Sequence, residues 1–242
     1  ALVSVSCHDN ELHSLYLNGC TELQSLSCSQ NQLSDLDLED CTNLISLDCG
    51  SNGICGLETI GSCTSLENLN CDYSNLGILD LSGLGKLKKF SCIGCSGLTT
   101  VTFSCNYSLT EVNCNECELE TLDLSRSDSA HLKIIWCDNN NLTELVLPEI
   151  NMIEELHCAG NKLTNSLFEN HVPDIRVLDC SNNEIRNISI DGNNGYGALE
   201  ELDCRGNGLE SLEIRDCSKL KTLNCSNNVL QELDVSGCPS LR

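Results

Sequence analysis

Basic residues are scarce in this chain. Thirteen Lys and Arg stand against 36 Asp and Glu, a formal net charge of −23. Such a charge repels polyanions and acidic lipid surfaces, which argues against nucleic acid or an anionic membrane as partner. Long hydrophobic runs are missing too. Without a stretch of about eighteen apolar residues, no membrane-spanning helix or membrane insertion is expected. No signal peptide is legible at the start, as would also hold for a trimmed chain. Catalytic signatures are lacking: His8, His13, His131, His157 and His171 show no metal-ligand spacing, and neither a Gly-rich phosphate loop nor a nucleophile elbow occurs. A non-enzyme without cofactor is expected. Aromatics make up only 3% of residues, with a single tryptophan.

What is there is a repeat. The stretch from Leu23 to Leu33, with Leu26, Cys28 and Asn31 inside it, recurs along the whole chain. Its cysteine is followed in most copies by Asn three residues later and by an aliphatic five later. The copies lie at Cys7, Cys28, Cys49, Cys71, Cys92, Cys114, Cys137, Cys158, Cys180, Cys204 and Cys225, at spacings of 21 to 24 residues. A period near 22 is the mark of a solenoid, in which each turn buries its apolar side only against its neighbours. Leu26 and Cys28 sit two apart, so a strand points both inward while Ser25 and Ser27 face out. Asn31 falls where the chain leaves the strand, and its amide can bond backbone groups of that corner and of the adjacent turn.

Twenty cysteines would ordinarily suggest a disulfide framework. Ladder cysteines in stacked turns have α-carbons about 4.8 Å apart, but parallel side chains keep the β-carbons farther apart than the roughly 3.8 Å of a disulfide. The eleven are expected to be mostly reduced, small apolar fillers. Cys20, Cys41, Cys63, Cys105, Cys217 and Cys238 form a second series on the far side, where Ile150 and Val172 substitute in the middle. Cys55 belongs to neither and is expected to be the most exposed thiol.

The pattern L-x-x-L-x-C-x-x-N-x-L-x-x-L-x-L resembles a leucine-rich repeat, with Cys in place of the strand's second Leu. It is most similar to the cysteine-ladder repeats of internalin-like bacterial surface proteins. The resemblance implies a right-handed rod or horseshoe with a parallel concave sheet, short convex strands and little helix. It also implies recognition or adhesion rather than catalysis, at an extracellular or cell-surface location with anchoring through other regions. Residues 1–242 then form a single domain of about eleven turns, uncapped at both ends as in a fragment of a longer protein.

Leu36–Leu38, Leu79–Leu81, Leu122–Leu124 and Leu233–Val235 alternate with period two and suggest the convex strands. Their central Asp37, Asp80, Asp123 and Asp234 form a row that calcium could use or that simply faces solvent; the second is favoured, since a hard cation needs about six converging oxygens. Three segments break the period: 125–131, 165–174 (a short helical turn ended by Pro173) and 191–197 (a convex loop). Sequons occur at Asn106, Asn141, Asn187 and Asn224.

Cys92, Cys95, Cys114 and Cys117 form C-x2-C-x18-C-x2-C, a zinc pattern out of context. Here Cys92 and Cys114 are ladder residues and Cys95 and Cys117 stand in the Asn place, so zinc, or a Cys95–Cys117 disulfide, is a minor alternative.

The residues just before each ladder cysteine face outward on the concave side. They are small, polar or charged except Trp136. Ile134 and Val177 lie beside it, with Asp138, Glu155, His157, Asp179, Asp203 and Arg205 around it. An exposed aromatic with aliphatic neighbours and a polar rim has the make-up of an interface anchor. The expected role is a monomeric module binding a protein or glycan there. A structural stalk displaying other domains, or a thiol- or zinc-binding protein, are the competing classes.

Overall fold

The computed structural model describes residues 2–127, 129–149, 152–169 and 172–242, residue 169 by its backbone alone. Eleven three-residue strands, from Ser4–Ser6 to Thr222–Asn224, form one sheet in which each pairs in parallel with the next turn's strand. The register never slips: Asn113, Trp136, His157, Asp179 and Asp203 lie opposite one another in successive strands. Such constancy follows from the inward residue of each strand, as Leu26, Leu47, Leu69, Ile135 and Leu156 are buried, and a one-residue slip would turn each to water. Phe90 holds the same place and meets Phe103 edge-on across the core at 5.8 Å between ring centroids.

The far side is less regular. Ile78–Asp80 pairs with Thr100–Thr102, Thr121–Asp123 with Glu144–Val146, and Asn187–Asp191 with Ser211–Arg215. The expected strand at 36–38 does not form, and at Asp234 only an isolated bridge to Glu213 is made. Ser125–Ser127 and Asn165–Glu169 are single 3-10 turns, and Gly192–Tyr196 is a wide loop with Gly195 at φ 99°.

All twenty cysteines are free thiols. The ladder thiols do more than fill space. The Sγ of Cys158 donates to the Asp179 carbonyl at 3.3 Å, the same oxygen that accepts from its own amide at 2.8 Å. Cys71 and Cys137 repeat this fork on Ser91 and His157. Burial pushes the Cys158 and Cys180 thiols well up, and Cys28 to about 12.

Asparagine makes the second ladder. In each of Asn31, Asn52, Asn140, Asn161, Asn183, Asn207 and Asn228, Nδ2 donates to the preceding turn's ladder-cysteine carbonyl at 2.8–3.1 Å and to two carbonyls of its own corner. Three turns depart from it. Cys95 and Cys117 substitute thiols, donating to Cys71 and Cys92 carbonyls at 3.2 and 3.1 Å. Ser74 is too short, and its buried hydroxyl has no partner.

A third row was not legible in the sequence. The second residue after each ladder cysteine has positive φ in all eleven turns, from Asp9 at 56° to Asn227 at 55°. At Gly94 (φ 66°) a β-carbon would lie 2.5 Å from the exposed Tyr73 ring, so any other residue there would push that ring aside.

The second cysteine series needs one correction. Asn106, fully buried, occupies the place assigned to Cys105, because the backbone turn closes from Leu109 N–H to the Asn106 carbonyl as it does from Leu44 to Cys41. Cys105 sits one position earlier at φ 59° and is half-buried. Asn106 Nδ2 donates to Leu81 and Leu84 carbonyls, so its sequon is inaccessible. Val172 fills the same row, buried as expected; Ile150 lies outside the described residues. Cys55 is the exposed thiol.

Candidate functional site

The outward face of the main sheet is paved by the residues before each ladder cysteine. Six of the eleven are Asp or Asn, and three are Ser. Asp or Asn at this position accepts, through Oδ1, the N–H two residues on, an Asx turn that ends the strand. Asn70, Asn113, Asp179, Asp203 and Asn224 do so at 2.8–3.3 Å, and Asp48 more loosely at 3.4 Å.

Trp136 and His157 stand in this row and cannot make that bond. The orphaned N–H groups are capped from the preceding turn instead. Asn115 Oδ1 accepts from Asp138 N–H at 2.7 Å, and Asp138 Oδ1 in turn accepts from Ala159 N–H at 2.7 Å. Asp72 does the same for Ile93 N–H beside Ser91. The two rings therefore displace a repeated structural cap, and a relay of side chains one residue beyond the cysteines makes good the loss.

The rings stack, centroids 6.2 Å apart and planes at 18°. His157 Nε2 lies 3.8 Å from Glu155 Oε2. Burial raises the Asp138 carboxyl; the Ala159 N–H opposes this, Asp179 adds to it, and His157 counters it. Ile134, Glu155 and Val177 line up across their strands alongside this row. Thus Ile134, Trp136, Asp138, Glu155, His157, Val177 and Asp179 form one contiguous patch. At the edge of this patch, beside Asp179, Arg205 reaches Asp203 at 3.5 Å, and Asn224 donates to the same carboxylate at 3.2 Å. In the insertion at 125–131, the turn Ser125–Ser127 follows a far-side strand.

Sequence reasoning missed the other side of the indole. A hollow of about 310 Å³ runs from Ser46 to Trp136 over five strands, floored by short side chains and ended by the indole. Asn68, Asn70, Lys89, Ser91, Glu111 and Asn113 line it, and Lys89 pairs with Glu111 at 2.8 Å. The signal was available as a run of small polar residues before the only tryptophan, but its depth depends on the stacking of turns.

Among the described residues no three His, Cys, Asp or Glu side chains are disposed to hold a metal ion. Of the zinc-like cysteines, Cys95, Cys117 and Cys114 donate to the backbone carbonyls of Cys71, Cys92 and Trp136. The convex row faces solvent. Asp37, Asp80, Asp123 and Asp234 each accept the N–H two residues on at 2.8–3.0 Å. No helix among the described residues is long and apolar enough to cross a membrane.

Residues 21–62 match the family model described as Leucine Rich repeats (2 copies). No curated protein matches the sequence. Among solved structures, the functional domain of InlJ from Listeria monocytogenes, which includes a cysteine ladder, is 24% identical, with 99% of this chain and 61% of that chain covered at a TM-score of 0.63. YopM from Yersinia enterocolitica WA-314 is 22% identical over 100% of this chain and 50% of that one, at a TM-score of 0.75. The Toll–Spatzle complex of Drosophila contributes a chain 21% identical, covered to 34% by 96% of this one, at a TM-score of 0.72. The chain thus spans about three fifths or less of these proteins, and at such identities the likeness is one of fold.

Proposed function

We propose that this chain, a leucine-rich repeat solenoid in fold, is a non-catalytic recognition module of an extracellular or surface protein. It binds a protein or glycan through the face of its main sheet, with Trp136 as anchor. One observation carries the proposal: Trp136 and His157 are the two rings in a row otherwise made of Asp, Asn and Ser, and Asn115 and Asp138 supply the caps they cannot make. Departure from a local structural rule, with compensation built around it, is the usual condition of a functional position. The stacked pair also presents a rigid aromatic surface at low entropic cost, as interface anchors do. The cysteine-ladder likeness to InlJ supports a surface role, and the absence of the patch would instead favour a featureless stalk.

The test is a binding screen of the native domain on immobilised extracellular proteins and glycans, followed by Trp136→Ala. Loss of about 2 kcal/mol of binding with little change in melting temperature is the expected result. Unchanged binding together with a large drop in stability would move the site elsewhere.

A further inference from the structure

Trp136 has two faces, and only one is taken. His157 stacks on one, while the other ends the hollow that runs back over Asn113, Ser91 and Asn70. The chemistry there differs from the rest of the molecule. In a chain of net charge −23, the hollow is lined by three amides and two hydroxyls over a leucine and phenylalanine floor, with the indole at its end. Its Lys89 and Glu111 neutralise each other at 2.8 Å, which leaves Asp48 as the other charge on its wall.

The hydrogen-bonding inventory is just as particular. Asn70 and Asn113 use Oδ1 to end their own strands, so their Nδ2 groups are left over. Among the described residues these two amides, the side chain of Asn68 and the indole N–H of Trp136 have no protein partner. A cation would find carboxylates all over this surface and has no reason to prefer a hollow that holds a lysine. A ligand suited to free amide donors, a self-neutralised ion pair and a bare indole face is uncharged, rich in hydroxyl oxygens, and apolar on one side. That is the description of a pyranose.

On the reading that the sheet face is a recognition surface, we infer that the hollow bounded by Trp136 binds a neutral oligosaccharide. One sugar stacks on the indole face opposite His157. Its neighbours take hydrogen bonds from Asn70 and Asn113 and give hydroxyl protons to Glu111. Five strands at about 4.8 Å give the floor room for a short linear oligosaccharide of roughly four units.

The chain's only tryptophan is the site's own reporter. Its emission is followed while the native domain is titrated with cellotetraose, maltotetraose and N-acetylchitotetraose, and with hexalysine as the peptide alternative. The expected result is a saturable shift with one of the sugars, at a dissociation constant on the order of 0.1–1 mM. Asn70→Asp and Asn113→Asp each keep the Oδ1 that ends the strand, as Asp179 does in its own turn, but remove the free donor. Each should weaken the sugar about fivefold without moving the melting temperature.

Four results would overturn the inference. If all three sugars are silent to about 10 mM while hexalysine shifts the emission, the sheet face recognises a basic segment and the saccharide assignment falls alone. The same holds if the sugars are silent but Trp136→Ala loses a protein found in the binding screen. If no probe and no screened partner responds, both the assignment and the recognition reading fall. Sugar affinity unchanged in both Asn→Asp variants would remove the hollow as its location.

Discussion

The side-chain amide of Asn183 donates to the carbonyl of Cys158, one full turn away, at 3.0 Å. The same nitrogen reaches Cys180 and Ser181 carbonyls of its own corner at 3.1 Å, and Oδ1 accepts from Leu163 N–H at 2.9 Å. Four buried backbone groups thus depend on one side chain. Asn183→Leu roughly keeps the volume and orphans them, so it should destabilise by about 1–3 kcal/mol in thermal or urea unfolding. An unmoved transition would show that these groups find other partners.

Ser74 is the converse case. It stands in the asparagine row, is 3% exposed, and its hydroxyl is buried without a partner. Ser74→Ala removes a polar group that nothing satisfies, and should be neutral or stabilising by about 1 kcal/mol. Marked destabilisation would mean that the hydroxyl is bonded after all.

The thiols should divide sharply by burial. Cys55 is exposed and should react at once with a thiol reagent in the native state. The half-buried Cys7, Cys20, Cys105 and Cys225 follow more slowly, and the remainder only on denaturation, when all twenty react. Burial disfavours the reactive thiolate, as the raised Cys158 and Cys180 show. Mass spectrometry of timed alkylation decides it. Cys158→Ala should cost about 1–2 kcal/mol through a small cavity and a lost thiol contact.

Asp138 predicts a pH dependence. Its carboxyl is raised, chiefly by burial, so the folded state holds the proton more tightly than the unfolded one. Its contribution to stability is therefore greatest at low pH and declines as pH rises through the unfolded and then the folded value. Asp138→Asn keeps an oxygen for Ala159 N–H and removes the charge beside Asp179. The variant should melt higher than the native domain at neutral pH, and the gap should close on acidification. A gap that is constant with pH would show that ionisation plays no part.

The site was only half legible beforehand. Trp136 announced itself as the one large ring in a row of small polar residues, and alternation alone placed it outward with Ile134 and Val177. Asp203 continues that row beside Asp179, but its pairing with Arg205 and Asn224 was not legible. Choices of partner between side chains of comparable reach are not encoded in spacing. Cys105 was misplaced by one residue for a related reason: the residue type suggested the series, whereas the backbone closure at Asn106 decides the position.

The sequence by itself determined the period, the inward row of leucines and cysteines, the asparagine corners and the strand register. Each is a statement about residues at fixed separations, and a single slip would expose an entire apolar row. The tertiary structure alone decided the relay from Asn115 and Asp138 that lets two rings sit where Asx belongs, the positive-φ row, and the hollow before Trp136. These arise between turns more than twenty residues apart, where the shape of one turn is set by what the next stacks upon it.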